Sequence, residues 1–184
     1  MSKTTWIILG VVLVVALWLG SSYNGFVSAN QGVDKQWAQV EVQYQRRFDL
    51  IPNLVATVQG IAKQEQVVFT ALAQARQNYA GAKTVDERIS AANQVESALS
   101  RLLVIVENYP TLKSSENFLT LQAQLEGTEN RIAVERSRFN DAVTVLNNKV
   151  RRFPSNLIAK AFGFEARALF QAAAGAENAP TVSF

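Results

Sequence analysis

The chain has no cysteine and no histidine among its 184 residues. The first absence excludes disulfides, a thiolate nucleophile and a sulfur-ligated metal. The second removes the commonest proton shuttle near neutral pH and the commonest transition-metal ligand. Any hydrolytic chemistry would rest on carboxylates, lysines and hydroxyls, so the composition points to a non-enzymatic protein and calls for no cofactor or metal. Proline and glycine are scarce, at four and nine residues, and the abundance of Ala, Gln, Leu, Val and Glu suits long helices. Charge of one sign is scarce too. The 18 basic and 15 acidic residues leave a formal +3, spread along the chain without the basic footprint of a nucleic-acid binder. The length is that of one domain with a real core.

One long apolar run is present. Thr4 to Gly20 reads TTWIILGVVLVVALWLG, and no charge occurs between Lys3 and Asp34. About 20 residues at 1.5 Å each cross a hydrocarbon core of about 30 Å, with Trp6 and Trp18 near the two interfaces. A cleaved signal peptide is the competing reading, but Trp18 and Leu19 leave the following LGSS without a small residue three positions before a cut. The expectation is a transmembrane anchor over 1–23. The lone Lys3 leans towards an N-in chain, with the remainder on the outer, periplasmic face of a bacterial inner membrane.

Beyond the anchor, Phe26, Asn30, Val33, Trp37, Val40 and Tyr44 recur at alternating four- and three-residue steps, a helical seam with one polar interruption at Asn30. With no strong breaker between anchor and seam, one continuous rod is expected. It is predicted to stop at RRFDLIPNLV (Arg46–Val55), with Asp49 as N-cap and Pro52 in the first turn of a second helix. That helix would carry Leu54, Val58, Ile61, Glu65, Val68, Leu72 and Tyr79 on its seam. Thr84 and Glu87 predict a capping box for a third helix, with Ile89, Ala92, Val95, Leu99, Leu102 and Val106 inward. Tyr109-Pro110 bars its continuation, and Ser114 or Ser115 restarts the chain into a fourth helix with Phe118, Leu121, Leu125, Ile132, Phe139, Val143, Leu146, Val150 and Phe153 in register. The expected fold is therefore all-α: an N-terminal transmembrane helix continuing into an antiparallel four-helix bundle of long helices over 24–170. A short amphipathic C-terminal helix over 154–174 and a loose tail over 175–184 complete it.

RRFPSNLIA (Arg151–Ala159) echoes RRFDLIPNLV, and it reads as a second corner with a binding role. Lys149, Arg151, Arg152, Lys160 and Arg167 gather there against Glu165, interleaved with aromatics that include Phe162 and Phe164. A basic, aromatic amphipathic segment suits anionic headgroups; capping the open end of the bundle core is the equally weighted alternative. A second constellation is polar. Glu65 and Glu135 fall on apolar seams and Glu129 shares a face with Arg136. A carboxylate on a seam needs a partner if it is buried. Gathering a cation or acting as acid and base is the functional reading. A register-fixing network using Arg46, Arg131 or Arg136 is favoured, since no histidine completes a Glu-x-x-His ligand pair. Gly60 and Gly127 are placed inside helices, where close backbone approach would justify them; mere toleration is the equally weighted alternative.

Tyr23-Asn24, the RRFDLIPNLV block, ENYPTLKSSENFLTLQAQLEGTENRIAVERSRFN and FPSNLIA together resemble the LemA family of bacterial membrane proteins, from the anchor to Phe170. Phe139 and Leu146 stand where the family commonly has tyrosine before asparagine. The resemblance implies a single-pass anchored helical bundle, and some relatives are associated with membrane invagination in magnetosome formation. The reading on sequence is a membrane-anchored scaffold or adaptor that self-associates as a homo-oligomer or binds membrane proteins, in contact with the lipid bilayer. A regulatory or sensor subunit of a membrane protease or envelope-stress system is the alternative.

Overall fold

The computed structural model describes residues 2–59 and 65–170. Within them the chain is helical without a strand: α1 (Lys3–Gln59), α2 (Gln66–Gly81), α3 (Val85–Val106), α4 (Pro110–Lys113), α5 (Glu116–Arg151) and α6 (Ser155–Phe162). The expectation for Gly60, for Ile61, and for the tail beyond Phe170 lies outside the described residues.

The anchor and the first seam form one unbroken helix, as the absence of a breaker predicted. The corner expected at RRFDLIPNLV is not there. Pro52 lies inside α1, which continues to Gln59, and Asp49 accepts a hydrogen bond from Gln45 Nε2 on the helix surface (2.8 Å) instead of capping a new helix. Proline inside a helix costs about 3 kcal/mol through its missing N–H and its clash with the preceding turn. Against that, Tyr44, Phe48, Ile51, Leu54 and Val58 carry the seam through the proline without a change of phase, and all are buried. At about 1.5–3 kcal/mol for each large apolar side chain, keeping that face inward outweighs the proline. The echo at Arg151 does form a corner, because its proline comes directly after the phenylalanine and no seam continues. Phe153 is 79% exposed where Phe48 is 4% exposed, which also removes Phe153 from the predicted seam. Ser155 Oγ caps the end of α5, donating towards Lys149 O (2.7 Å) and Arg152 O (2.8 Å).

The described chain divides into two compact units. The first comprises α1 up to Gln39 and Glu135–Leu169. From Trp6 to Leu19 the large apolar side chains of α1 are exposed, as a lipid-facing span requires, and this stretch is the one apolar and long enough to cross a membrane among the described residues. Further along, Phe26, Val33 and Trp37 bury with Phe139, Val143 and Leu146 of α5, and Trp37 meets Phe139 edge-on at 5.5 Å. Gly25 pairs with Lys149 while Gln36 pairs with Glu135, so the two helices run antiparallel here. Helix α6 covers Ser155–Phe162, shorter than the helix predicted over 154–174. Gly163 stops it in the left-handed region (φ 74°), with its N–H on Ala159 O, a conformation glycine adopts without a Cβ penalty. The chain then runs non-helically to Phe170.

The second unit is built on Val40–Val134. Its core takes Val40 to Val58 from α1, Phe69, Leu72 and Ala75 from α2, Ala92, Val95, Leu99, Leu102 and Val106 of the predicted α3 stripe (its Ile89 is only half-buried), and Phe118, Leu125 and Ile132 from α5. The Thr84–Glu87 capping box forms as predicted: Thr84 Oγ1 accepts from Glu87 N (3.2 Å), and Glu87 Oε2 accepts from Lys83 N (2.7 Å) and Thr84 N (3.2 Å). The backbone N–H groups of Lys83 and then Thr84 hold the Glu87 carboxyl below its ordinary pKa. At the other end of α3, the one-turn α4 follows Tyr109-Pro110, and Ser115 Oγ accepts from Phe118 N at the start of α5 (3.4 Å). Tyr79 packs on Phe48 (4.7 Å) and Tyr44 (5.5 Å), and burial pushes its phenol up to about 12.

Candidate functional site

The residues singled out around the second echo separate into two groups. Lys149, Phe164 and Arg167 are engaged inside the first unit. Lys149 Nζ donates to Gly25 O (2.9 Å), and a Cβ on Gly25 would meet that ammonium at 2.8 Å. Phe164 stacks on Phe26 at 4.9 Å and lies 5.8 Å from Tyr23. Arg167 is clamped twice. Its backbone exchanges two hydrogen bonds with the Asn147 amide (2.8 and 2.9 Å), while its guanidinium donates to Asp34 Oδ1 (2.6 Å) and Asn30 Oδ1 (2.9 Å). The polar interruption of the α1 seam at Asn30 thus helps to hold the segment after α6.

The other group faces outward. Arg151, Arg152 and Lys160 are exposed, together with Phe153, Leu157 (60%) and Phe162 (56%). Ile158 and Ala159 form the buried face of α6. Helix α6 is seated by Phe162, whose ring meets Tyr23 at 5.1 Å. Tyr23 lies about one helical turn beyond Leu19, where the exposed apolar span on α1 ends. Three cations and three large apolar side chains are therefore assembled beside the end of that span, by contacts within one unit.

The polar constellation resolves into separate pairs. Glu135 accepts from Gln36 Nε2 (2.8 Å) and Arg138 Nη1 (2.8 Å). Glu129 pairs with Arg47, the one buried charged residue among those described. Arg46, named for this role on sequence, is exposed. The signal for Arg47 was available: the step of three from Tyr44 and four to Ile51 puts it on the α1 seam. Arg136 is half-buried on α5 beside Glu135, and Glu65 is the residue preceding α2, half-buried and without a side-chain cap bond. Arg88 and Glu41 form a further ion pair that sequence reasoning did not reach. Among the described residues no group of three or more acidic side chains is placed to hold a metal ion.

Comparison with known proteins adds the family. The sequence profile of the LemA family matches residues 36–184. Two curated relatives, magnetosome proteins MamQ 1 and MamQ 2 of Paramagnetospirillum magneticum, are each 27% identical over 190 residues, covering 89% of this chain and 70% of their own. Magnetosome protein MamQ of Magnetospirillum gryphiswaldense is 27% identical over 169 residues, covering 78% of this chain and 62% of its own.

Proposed function

Because the chain belongs to the LemA family, we propose that it is a membrane-anchored, non-enzymatic helical scaffold or adaptor, which self-associates or binds membrane proteins and helps to organise the bacterial inner membrane. Its long helices pack as an antiparallel bundle beyond a single transmembrane span, and the α5–α6 corner rests on the headgroups. The observation that carries this reading is the seat of α6 on Tyr23. It brings Arg151, Arg152 and Lys160, with Phe153, Leu157 and Phe162, to the level where the exposed apolar span ends. Each such cation near anionic lipid contributes about 1 kcal/mol, and the apolar side chains gain by leaving water for the acyl boundary. Relatives named for the magnetosome support a role at membranes. By Lys3 the bundle lies on the periplasmic face; the contact itself needs only anionic headgroups in the leaflet that α6 meets.

The absence of cysteine makes a direct test available. Leu157→Cys supplies a unique thiol, which is labelled with an environment-sensitive fluorophore in the full-length protein in nanodiscs. Quenching by brominated lipid is expected, stronger with anionic than with zwitterionic headgroups. It should fall when Arg151, Arg152 and Lys160 are all changed to glutamine. No quenching in either lipid removes the membrane contact. For the scaffold role, photo-crosslinking probes at Gln39 and Gln122 in native membranes should capture either the protein itself or one recurrent membrane protein. The scaffold reading fails if neither is captured.

A further inference from the structure

Gly127 has no packing reason to be glycine. It lies inside α5, yet a Cβ there would meet nothing within 4 Å, and glycine is the least favourable helix-interior residue after proline. Of the two readings open on sequence, close backbone approach and mere toleration, the first is absent at Gly127. Instead Gly127 lines an open groove of about 700 Å³ in the second unit, with Arg46 and Leu50 from α1 and Thr120, Gln124 and Arg131 from α5. The α5 positions recur at steps of four, three and four, so they form one stripe about 16 Å long.

The charge in this groove is unbalanced. No carboxylate lines it. Of the neighbouring acids, Glu129 is ion-paired with Arg47, while Asp49 and Glu126 accept hydrogen bonds from the Gln45 and Gln122 amides. Arg46 and Arg131 are exposed, and among the described residues neither has an acidic partner. Two exposed guanidiniums from different helices line one groove, and their planar forks match carboxylates in two-point hydrogen bonding.

We infer that this groove binds an acidic peptide segment of a partner protein, two of its carboxylates lying against Arg46 and Arg131. A lone phosphate would satisfy the arginines but leave most of the stripe empty. About five extended residues at roughly 3.3 Å each match its length, with Thr120 and Gln124 offering hydrogen bonds and Leu50 an apolar wall. Gly127 leaves the floor open for backbone to approach. This inference rests on the adaptor reading and names its partner's chemistry; the lipid-contact and crosslinking results stand independently of it.

The test uses full-length protein in zwitterionic nanodiscs and a fluorescent decapeptide of alternating Glu and Ala, read by anisotropy. Saturable binding that weakens with salt is expected. Affinity should fall about tenfold for each of Arg46→Gln and Arg131→Gln, and should be unchanged for Arg101→Gln, an exposed arginine on α3. Gly127→Ala should raise Tm while weakening the peptide several-fold, a combination that a structural role for the glycine does not produce. Absence of saturable binding, equal binding of a Gln/Ala peptide, or an equal loss with Arg101→Gln overturns the inference. Displacement by inorganic phosphate at the concentration of peptide carboxylate, or groove-dependent capture of anionic vesicles in preference to the peptide, also overturns it and marks a general phosphate site.

Discussion

The Arg47–Glu129 pair makes an unequal prediction for its two ends. Arg47 is 8% exposed, whereas the Glu129 side chain keeps 45% of its surface. Glu129→Gln takes the Glu129 carboxylate away from a permanently charged, buried guanidinium. Breaking a fully buried pair from one side costs about 3–5 kcal/mol, and exposed pairs contribute about 0–1 kcal/mol. With one partner half in water, the cost should lie between these, at about 2 kcal/mol. Arg47→Met removes the buried charge, keeps the aliphatic stem packed and returns Glu129 to water, so it should cost less than about 1 kcal/mol. In a chain of this size those values correspond to about 4–8 °C of Tm for Glu129→Gln and at most a few degrees for Arg47→Met. The double variant should behave like Arg47→Met alone. Thermal melts of the full-length protein in detergent, followed by far-UV circular dichroism, provide the comparison. If Arg47→Met proves as damaging as Glu129→Gln, the burial asymmetry is not what governs this pair.

Two further expectations follow from the helices. Pro52→Ala should stabilise the protein by about 2 kcal/mol: the interior-proline cost of about 3 kcal/mol is relieved, less about 0.4–1 kcal/mol from the looser unfolded chain. A lower denaturation midpoint would show instead that the proline's local geometry is needed by the core around Phe48 and Ile51. At the capping box, Thr84→Ala should cost about 1 kcal/mol. The Glu87 pKa is lowered by the backbone N–H groups of Lys83 and Thr84, so the unfolded state binds the proton first as pH falls. The contribution of Glu87 is therefore present above the ordinary carboxylate pKa and is lost as pH falls through its depressed value. The stability gap between the protein and Glu87→Gln should accordingly be open at pH 7 and close in acid; a gap independent of pH would mean that the carboxylate charge is not what caps α3.

Much of this molecule is determined locally, and so was legible in the chain. The candidate membrane-spanning stretch of α1 follows from an uncharged apolar run, and the all-α class from periodicity. The start of α3 follows from a side chain and a backbone only three residues apart, and the end of α5 from a proline where the seam ceases. Tertiary packing decided what depends on competition between distant parts. Pro52 carries the same local signal in a corner or in a continuous helix, and only burial of Phe48, Ile51, Leu54 and Val58 on a common core determines which it becomes. The choice of Arg47 over Arg46 turns on one step around α1, which periodicity could have distinguished, but its pairing with Glu129 required two helices to meet. The basic cluster was visible as composition. Its division into Lys149 and Arg167 turned inward, and Arg151, Arg152 and Lys160 turned outward, was not, because their partners Gly25, Asn30 and Asp34 lie more than a hundred residues away. The chain alone determines which residues can bury and where backbone hydrogen bonding must stop. Which charged side chains find partners, and which stay exposed, is set only when α1 and α5 come together.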